Sequence, residues 1–197
     1  MNYCVLDLEM NQPSGTIIEV GAVCYHSRSG KITSRFSQHV RLPEGELLNP
    51  DIAKLTGITE KDLAAARAID LVQYNLAFWA GANGCSRNMA TWGSDYWILK
   101  EAYRAVDTQF EFPWKNFLNV KEMATYLRAA LPGKQRGGLK SAIEAFGLTF
   151  QGEPHRALID AENTALLMDR MLAGTKLMGV AQSLVGTNPQ STQQGTI

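Results

Sequence analysis

Two short apolar runs near the amino terminus, YCVLDLE (3–9) and IIEVGAVCY (17–25), constrain this chain more than any other feature of it. Both are built from β-branched and other apolar residues, and the NQPSG between them is turn chemistry, so they read as paired strands. A second turn, HSRSGK, leads into ITSRFSQHVRL (32–42), which alternates like a third strand and completes an antiparallel meander. The first run carries a penalty. Strand side chains alternate between faces, so Asp7 and Glu9 project together. Adjacent like charges repel, and burying them costs several kcal/mol or neutralises one of them. A solvated, charge-blunted edge strand accounts for such a pair, and so does a bound cation.

Beyond Leu42 the pattern changes from alternation to helix. NPDIAKL (49–55) and ITEKDLAAARAIDLVQYNLAFWAGA (58–82) read as helical, the second starting at a capping-box-like Thr59 and Asp62. NMATWG (88–93) is a short strand running into the helix SDYWILKEAYRAV, with Ser94 as its N-cap. NFLNV (116–120) predicts a fifth strand ahead of the helix KEMATYLRAAL, and two more helices follow, at 139–146 and 156–172. Strands first and then alternating β and α predict an α/β fold: a mixed five-stranded sheet, an antiparallel meander followed by parallel strands, flanked by helices. The 197 residues suit one domain over 1–173, and the polar 174–197, ending GTNPQSTQQGTI, reads as a flexible tail.

Charge excludes little here. The 19 basic and 19 acidic residues cancel, so a nucleic-acid partner has to be held by a local surface rather than by the field of the whole chain. Cys4, Cys24 and Cys85 form no CxxC pair and have no histidine cluster near them, which points to reduced thiols. No run approaches the ~18 apolar residues that span a bilayer, and the start lacks a basic segment followed by a long apolar one. The expectation is a soluble, intracellular, cytoplasmic protein with no membrane association; the sequence does not fix its oligomeric state.

Two further segments supply polar groups that the Asp7/Glu9 pair needs if it holds a cation. Asp95 falls in the first turn of a helix, a favourable place for a carboxylate whether as a cap or as a ligand. In EPHRALIDAENTALLMDRML, Ala157, Ala161, Ala165, Met168 and Leu172 recur at helical spacing and mark the face that packs on the sheet. Asp160 borders that stripe and is aimed toward the sheet. The other Asp-x-Glu, Asp160 with Glu162, lies in this helix, where i and i+2 do not face each other. His155, after Pro154, falls on the loop before the helix, either as a surface histidine or as a base. Four carboxylates gathered from strand and helix suit Mg²⁺, a hard cation that prefers oxygen ligands. Two such ions about 3.5–4 Å apart clamp the attacking and leaving oxygens of a phosphoryl displacement. A nearby histidine then takes the proton of the attacking water.

In this order, DLE … TWGSD … HRALID resembles the three motifs of the DEDDh 3′–5′ exonucleases of the ribonuclease H-like superfamily, over about residues 3–172. DLEMNQP, IIEVGAV, LTGIT (55–59) and GLKSAIEAFGL, with HRAL and DAENTA, are most similar to the enhancer-of-RNAi-like exonucleases and their bacterial relatives, including the KinA-pathway-inhibitor group. The resemblance implies a ribonuclease H-like fold, with Asp7, Glu9, Asp95 and Asp160 binding two Mg²⁺ or Mn²⁺ ions and His155 as general base. It also implies that Glu9, beside the main chain of Met10, meets the 3′-terminal nucleotide. The substrate would be single-stranded RNA or DNA with a free 3′ end, RNA being favoured, and the product nucleoside 5′-monophosphates. The threonines that follow the first motif in proofreading relatives are replaced by Met10 and Asn11, which argues against proofreading. DLEM and HRAL also resemble the oligoribonucleases, which trim very short RNAs; a further alternative is a non-catalytic nucleic-acid-binding module on the same fold.

Other residues suit nucleic acid without reading its sequence. Arg156 neighbours the expected base and is placed to contact phosphate. Lys134, Arg136 and Lys140 surround a double glycine at a helix start, a phosphate cradle or an ordinary solvated loop. Trp92, Tyr96 and Trp97 supply either a stacking surface for bases or core.

Overall fold

The computed structural model describes residues 1–106, 111–129 and 137–185, with side chains described through residue 174. Five strands form one sheet: β1 (Asn2–Met10), β2 (Ile17–His26), β3 (Lys31–His39), β4 (Asn88–Thr91) and β5 (Asn116–Asn119), in the order β3-β2-β1-β4-β5. β1, β2 and β3 pair antiparallel, while β4 joins β1 and β5 joins β4 in parallel. This is the mixed sheet expected from the meander and the later βα alternation. The β1–β2 register sets Asp7 opposite Gly21 and Glu9 opposite Glu19, and it shifts between Glu9 and Met10.

Seven helices cover the sheet: α1 (Pro50–Thr56), α2 (Glu60–Ala64), α3 (Ile69–Ala82), α4 (Asp95–Ala105), α5 (Val120–Arg128), α6 (Leu139–Ala145) and α7 (Ala157–Val185). The alternation of β1 divides the core. Cys4, Leu6 and Leu8 join Val72 and Leu76 of α3, Leu99 and Tyr103 of α4, and Trp114 on one face. Val5 joins Val23, Ala90, Ala124 of α5, Ile143 of α6 and Ala165, Leu167 and Met168 of α7 on the other. Asp7 and Glu9 share the phase of Val5, so they lie on the face that α7 covers. Small residues bring α7 close: Ala157, Ala161, Thr164 and Ala165 are buried. The three cysteines are buried and free, and no helix among the described residues is long and apolar enough to cross a membrane.

Three local expectations differ from the structure. The run 58–82 is two helices, because Val40 pairs in parallel with Arg67 and the Arg41 N–H donates to the Arg67 carbonyl at 2.9 Å. That pairing extends the chain at Ala68. The capping box of Thr59 and Asp62 forms at the start of α2 as expected, but Ser94 holds the cap position of α4 without a side-chain capping bond. The helix expected over 156–172 runs on in α7 to Val185, and 186–197 of the expected tail lie outside the described residues.

Candidate active site

The carboxylates converge where β1, α4 and α7 meet. Asp7 and Glu9 leave the same face of β1, half-buried. β4 ends at Thr91, opposite Leu6, so the β1–β4 ladder stops before Leu8. Asp95, the first residue of α4, accepts the Leu8 backbone N–H and shares a side-chain hydrogen bond with Asp7. Asp160, in the first turn of α7, comes from above the sheet. The ligating atoms of Glu9, His155 and Asp160 all lie within 4.8 Å of one another.

The charges confirm the crowding. Burial pushes the Asp7 carboxyl well above the ordinary carboxylate range, and the negative charges of Asp95, Asp160 and Glu9 push it further. Glu9 is raised to about 8, chiefly by burial and then by Asp160, Glu19 and Asp95, with Arg156 opposing. Burial lifts Asp95 to about 7 against the lowering effect of its hydrogen bonds. Asp160 is raised by burial, although the His155 N–H and ring oppose the shift. Its Oδ1 is buried with no hydrogen-bond partner among the described residues. Acids that repel one another around an unsatisfied carboxylate oxygen fit a divalent cation, which supplies the missing positive charge.

The loop before α7 is pinned from both sides. His155 is exposed and takes a left-handed backbone conformation, φ 65°, uncommon for a side chain with a Cβ. Its N–H donates to Asp160 Oδ2 at 3.2 Å. Glu19, opposite Glu9 on β2 and 1% exposed, accepts the Ala157 N–H at 2.9 Å. It also accepts two donors from Arg156, Nη2 at 2.8 Å and Nε at 3.3 Å. His39 Nε2 lies 3.5 Å from Glu19 Oε1. Gly21, two residues along β2 and opposite Asp7, leaves room for this: a Cβ there would sit 2.1 Å from Leu158 N. The backbone of α7 therefore rests directly on β2.

Asp7, Glu9, Asp95, His155 and Asp160, singled out for this site, are thus brought together. Arg156, expected at a phosphate, gives two donors to Glu19, and its side chain is 41% exposed. Met10 packs against the core under α3 and α4. Tyr96 is buried and stacked on Phe117 with centroids 4.3 Å apart, Trp92 packs on the α7 side, and only Trp97 of the three is exposed. Lys134 and Arg136 lie outside the described residues, and Lys140 is exposed on α6. Sequence reading missed Glu19 and Gly21. Their signal was present: a lone acid and a lone glycine in the otherwise apolar IIEVGAVCY.

Comparison with known proteins gives the family and the fold. Residues 4–168 match the RNase T family model, described as an exonuclease family. ERI1 exoribonuclease 2 of Danio rerio is 28% identical over 186 residues, covering 83% of this chain and 32% of that protein. The mouse (Mus musculus) ERI1 exoribonuclease 2 is 29% identical over 192 residues, covering 87% of this chain and 27% of its own length. The PolC-type DNA polymerase III of Listeria monocytogenes is 27% identical over 179 residues, covering 89% of this chain and 12% of that protein. The chain thus spans about a third or less of these relatives. Among solved structures, the nuclease domain of 3′hExo, a DEDDh family member bound to rAMP, superposes with a TM-score of 0.70 at 22% identity, covering 88% of this chain and 92% of that one. A full-length 3′-exonuclease superposes with a TM-score of 0.73 at 21% identity, covering 88% and 61%.

Proposed function

The chain belongs to the RNase T exonuclease family, in its DEDDh branch with a ribonuclease H-like fold, and from that premise we propose that it is a divalent-metal-dependent 3′–5′ exonuclease acting on single-stranded nucleic acid, RNA in preference to DNA. The observation that carries the reading is the convergence of Asp7, Glu9, Asp95 and Asp160 from β1, α4 and α7, with His155 at the rim. The preference for RNA draws on the exoribonuclease relatives. The proposed catalytic unit is 1–173, whose last buried core residue among those described is Met168.

Asp7, Glu9, Asp95 and Asp160 would hold two Mg²⁺ or Mn²⁺ ions, which when bound lower the pKa of a water and neutralise charge gathering on the phosphate. The protein's own groups do the rest. His155 is exposed at the rim and takes the proton of the attacking water, with its place in the turn fixed by its N–H on Asp160. Glu9 and the main chain of Met10, where the β1 register shifts, receive the 3′-terminal nucleotide. Arg156 keeps a positive charge beside Glu9 while Glu19 prevents it from swinging into the carboxylate cluster.

The test incubates a 3′-end-accessible RNA oligomer with Mg²⁺, with EDTA, and with an Asp7→Ala variant. Stepwise release of nucleoside 5′-monophosphates is expected from the wild type with Mg²⁺ alone. Degradation that persists in EDTA, or in the variant, would overturn the metal-dependent mechanism. Parallel rates on single-stranded DNA, recessed duplexes and dinucleotides settle the substrate; a dominant rate on dinucleotides would replace this reading with short-RNA trimming.

A further inference from the structure

Helix α3 is apolar on the side that faces water as well as on the side that faces the sheet. Its inner face packs through Val72, Leu76 and Ala80, all buried. Away from the sheet, Leu71 is 47%, Tyr74 44% and Phe78 68% exposed. These three recur at helical spacing and form one stripe, with the rings of Tyr74 and Phe78 stacked at 6.5 Å. Gly81 and Ala82, also exposed, continue it toward the carboxyl end. From Leu71 to Ser86 no residue carries a charge. A helix with a solvated outer face places charged and polar residues there, so α3 has the composition of a helix covered on both sides. We propose that the cover is a second copy of this chain, the two α3 helices packing antiparallel about a two-fold axis that passes between Tyr74 and Phe78.

Shape and charge both favour a copy of the same face. The stripe is bulky from Leu71 to Phe78 and flat at Gly81 and Ala82. A two-fold axis at its middle sets Leu71 of each copy against Gly81 and Ala82 of the other, and Tyr74 against Phe78. Bulk then meets gap and ring meets ring. Asp70 stands just before the stripe and Arg87 just beyond it, both exposed. Neither makes an ion pair among the described residues. Antiparallel pairing brings the Asp70 end of each helix to the Arg87 end of the other, whereas a parallel pair would set like charges side by side.

The area sets the strength of the contact. The three large side chains expose on the order of 300 Å² of apolar surface. Doubled and joined by a polar rim, that reaches the lower end of specific interfaces, about 1,000–1,200 Å² in total, where association is reversible. The dimer is therefore expected to form and dissociate with concentration, with Kd in the micromolar range. It leaves both acid clusters uncovered: α3 packs on one face of the sheet, and Asp7 and Glu9 lie on the face that α7 covers.

The test is sedimentation velocity of the full chain over about 2–200 μM. The wild type is expected to shift from monomer to dimer across that range. Phe78→Glu and Tyr74→Lys, each alone, are expected to weaken association by about tenfold or more, while the thermal melt of each dilute variant stays close to that of the dilute wild type. An equimolar mixture of the two variants is expected to restore a dimer, because position 74 of one copy meets position 78 of the other. A wild type that stays monomeric at the highest concentration overturns the proposal and leaves the face to some other occupant. A Phe78→Glu protein that dimerises as the wild type does overturns it as well, by placing the contact elsewhere. A mixture that stays monomeric overturns the two-fold pairing.

Discussion

Gly21→Ala is the most searching test of how the site is assembled. Gly21 is not in the left-handed region, so alanine meets no backbone penalty there, and the only new atom is the Cβ. That atom would lie 2.1 Å from Leu158 N, 2.2 Å from Ala157 C and 2.6 Å from Ala157 O, where real Cβ contacts essentially never fall below 3.0 Å. All three neighbours are backbone, so no side chain can swing aside. The first turn of α7 must retreat by about 0.9 Å, the difference between 3.0 and 2.1 Å, or the β2 backbone must sink as far. This turn carries Asp160, the His155 N–H on Asp160, and the 2.9 Å bond from Ala157 to Glu19. A displacement near 1 Å in a catalytic constellation costs on the order of 10²-fold in rate. Overpacking of this kind costs about 1–3 kcal/mol of stability, well inside the ~5–15 kcal/mol of a typical domain. At about 2–4 °C per kcal/mol, the variant is expected to fold and to melt roughly 2–12 °C lower. Steady-state kinetics on single-stranded RNA and a thermal melt check both parts. A Gly21→Ala protein with wild-type kcat and an unchanged melt would refute the claim that α7 rests on β2 at this point.

Three further outcomes are expected. The raised carboxyls of Glu9 and Asp95 bind protons more tightly in the folded than in the unfolded state, so their stabilising effect is complete below the ordinary carboxylate range and is lost as pH rises through about 8 and 7 respectively. In EDTA the melting temperature is therefore expected to fall with pH over that window. Mg²⁺ is expected to flatten the fall and Asp95→Asn to reduce it; a flat profile in EDTA would contradict the crowding. Arg156→Ala strands the buried Glu19 charge and is expected to cost about 2–3 kcal/mol by urea denaturation, discounted from the ~3–5 kcal/mol of a fully buried pair because Arg156 is partly exposed. The double variant with Glu19→Gln is expected to recover part of that loss. His155→Ala is expected to lower kcat by roughly 10²–10⁴-fold while calorimetric Mg²⁺ affinity stays near wild type, and unchanged turnover would remove His155 from the chemistry.

How much of this was legible in the sequence depends on range. Alternation within β1 put Asp7 and Glu9 on one face, and helical spacing put Ala157, Ala161 and Ala165 on the buried side of α7, because both patterns are local. The break between α2 and α3 was not legible, since it is imposed by Val40 pairing with Arg67, 27 residues away. The role of Glu19 was hidden for the same reason: Arg156, its partner, is 137 residues away, and no local pattern links them. Trp92, Tyr96 and Trp97 show the limit clearly. Identical arguments applied to all three rings, and only the packing of Phe117 and Trp114 around Tyr96 decided which one stayed outside.

The sheet order has a consequence for how the protein comes into being. The helix that brings Asp160 to Asp7 is made 153 positions after it. At about 5–20 residues per second, that is an interval of roughly 8–30 s. During it, β1 to β5 can pair, but Val5 and Val23 await the Ala165, Leu167 and Met168 that will cover them. Acids shared between β1 and α7 form no complete cluster until α7 has been made.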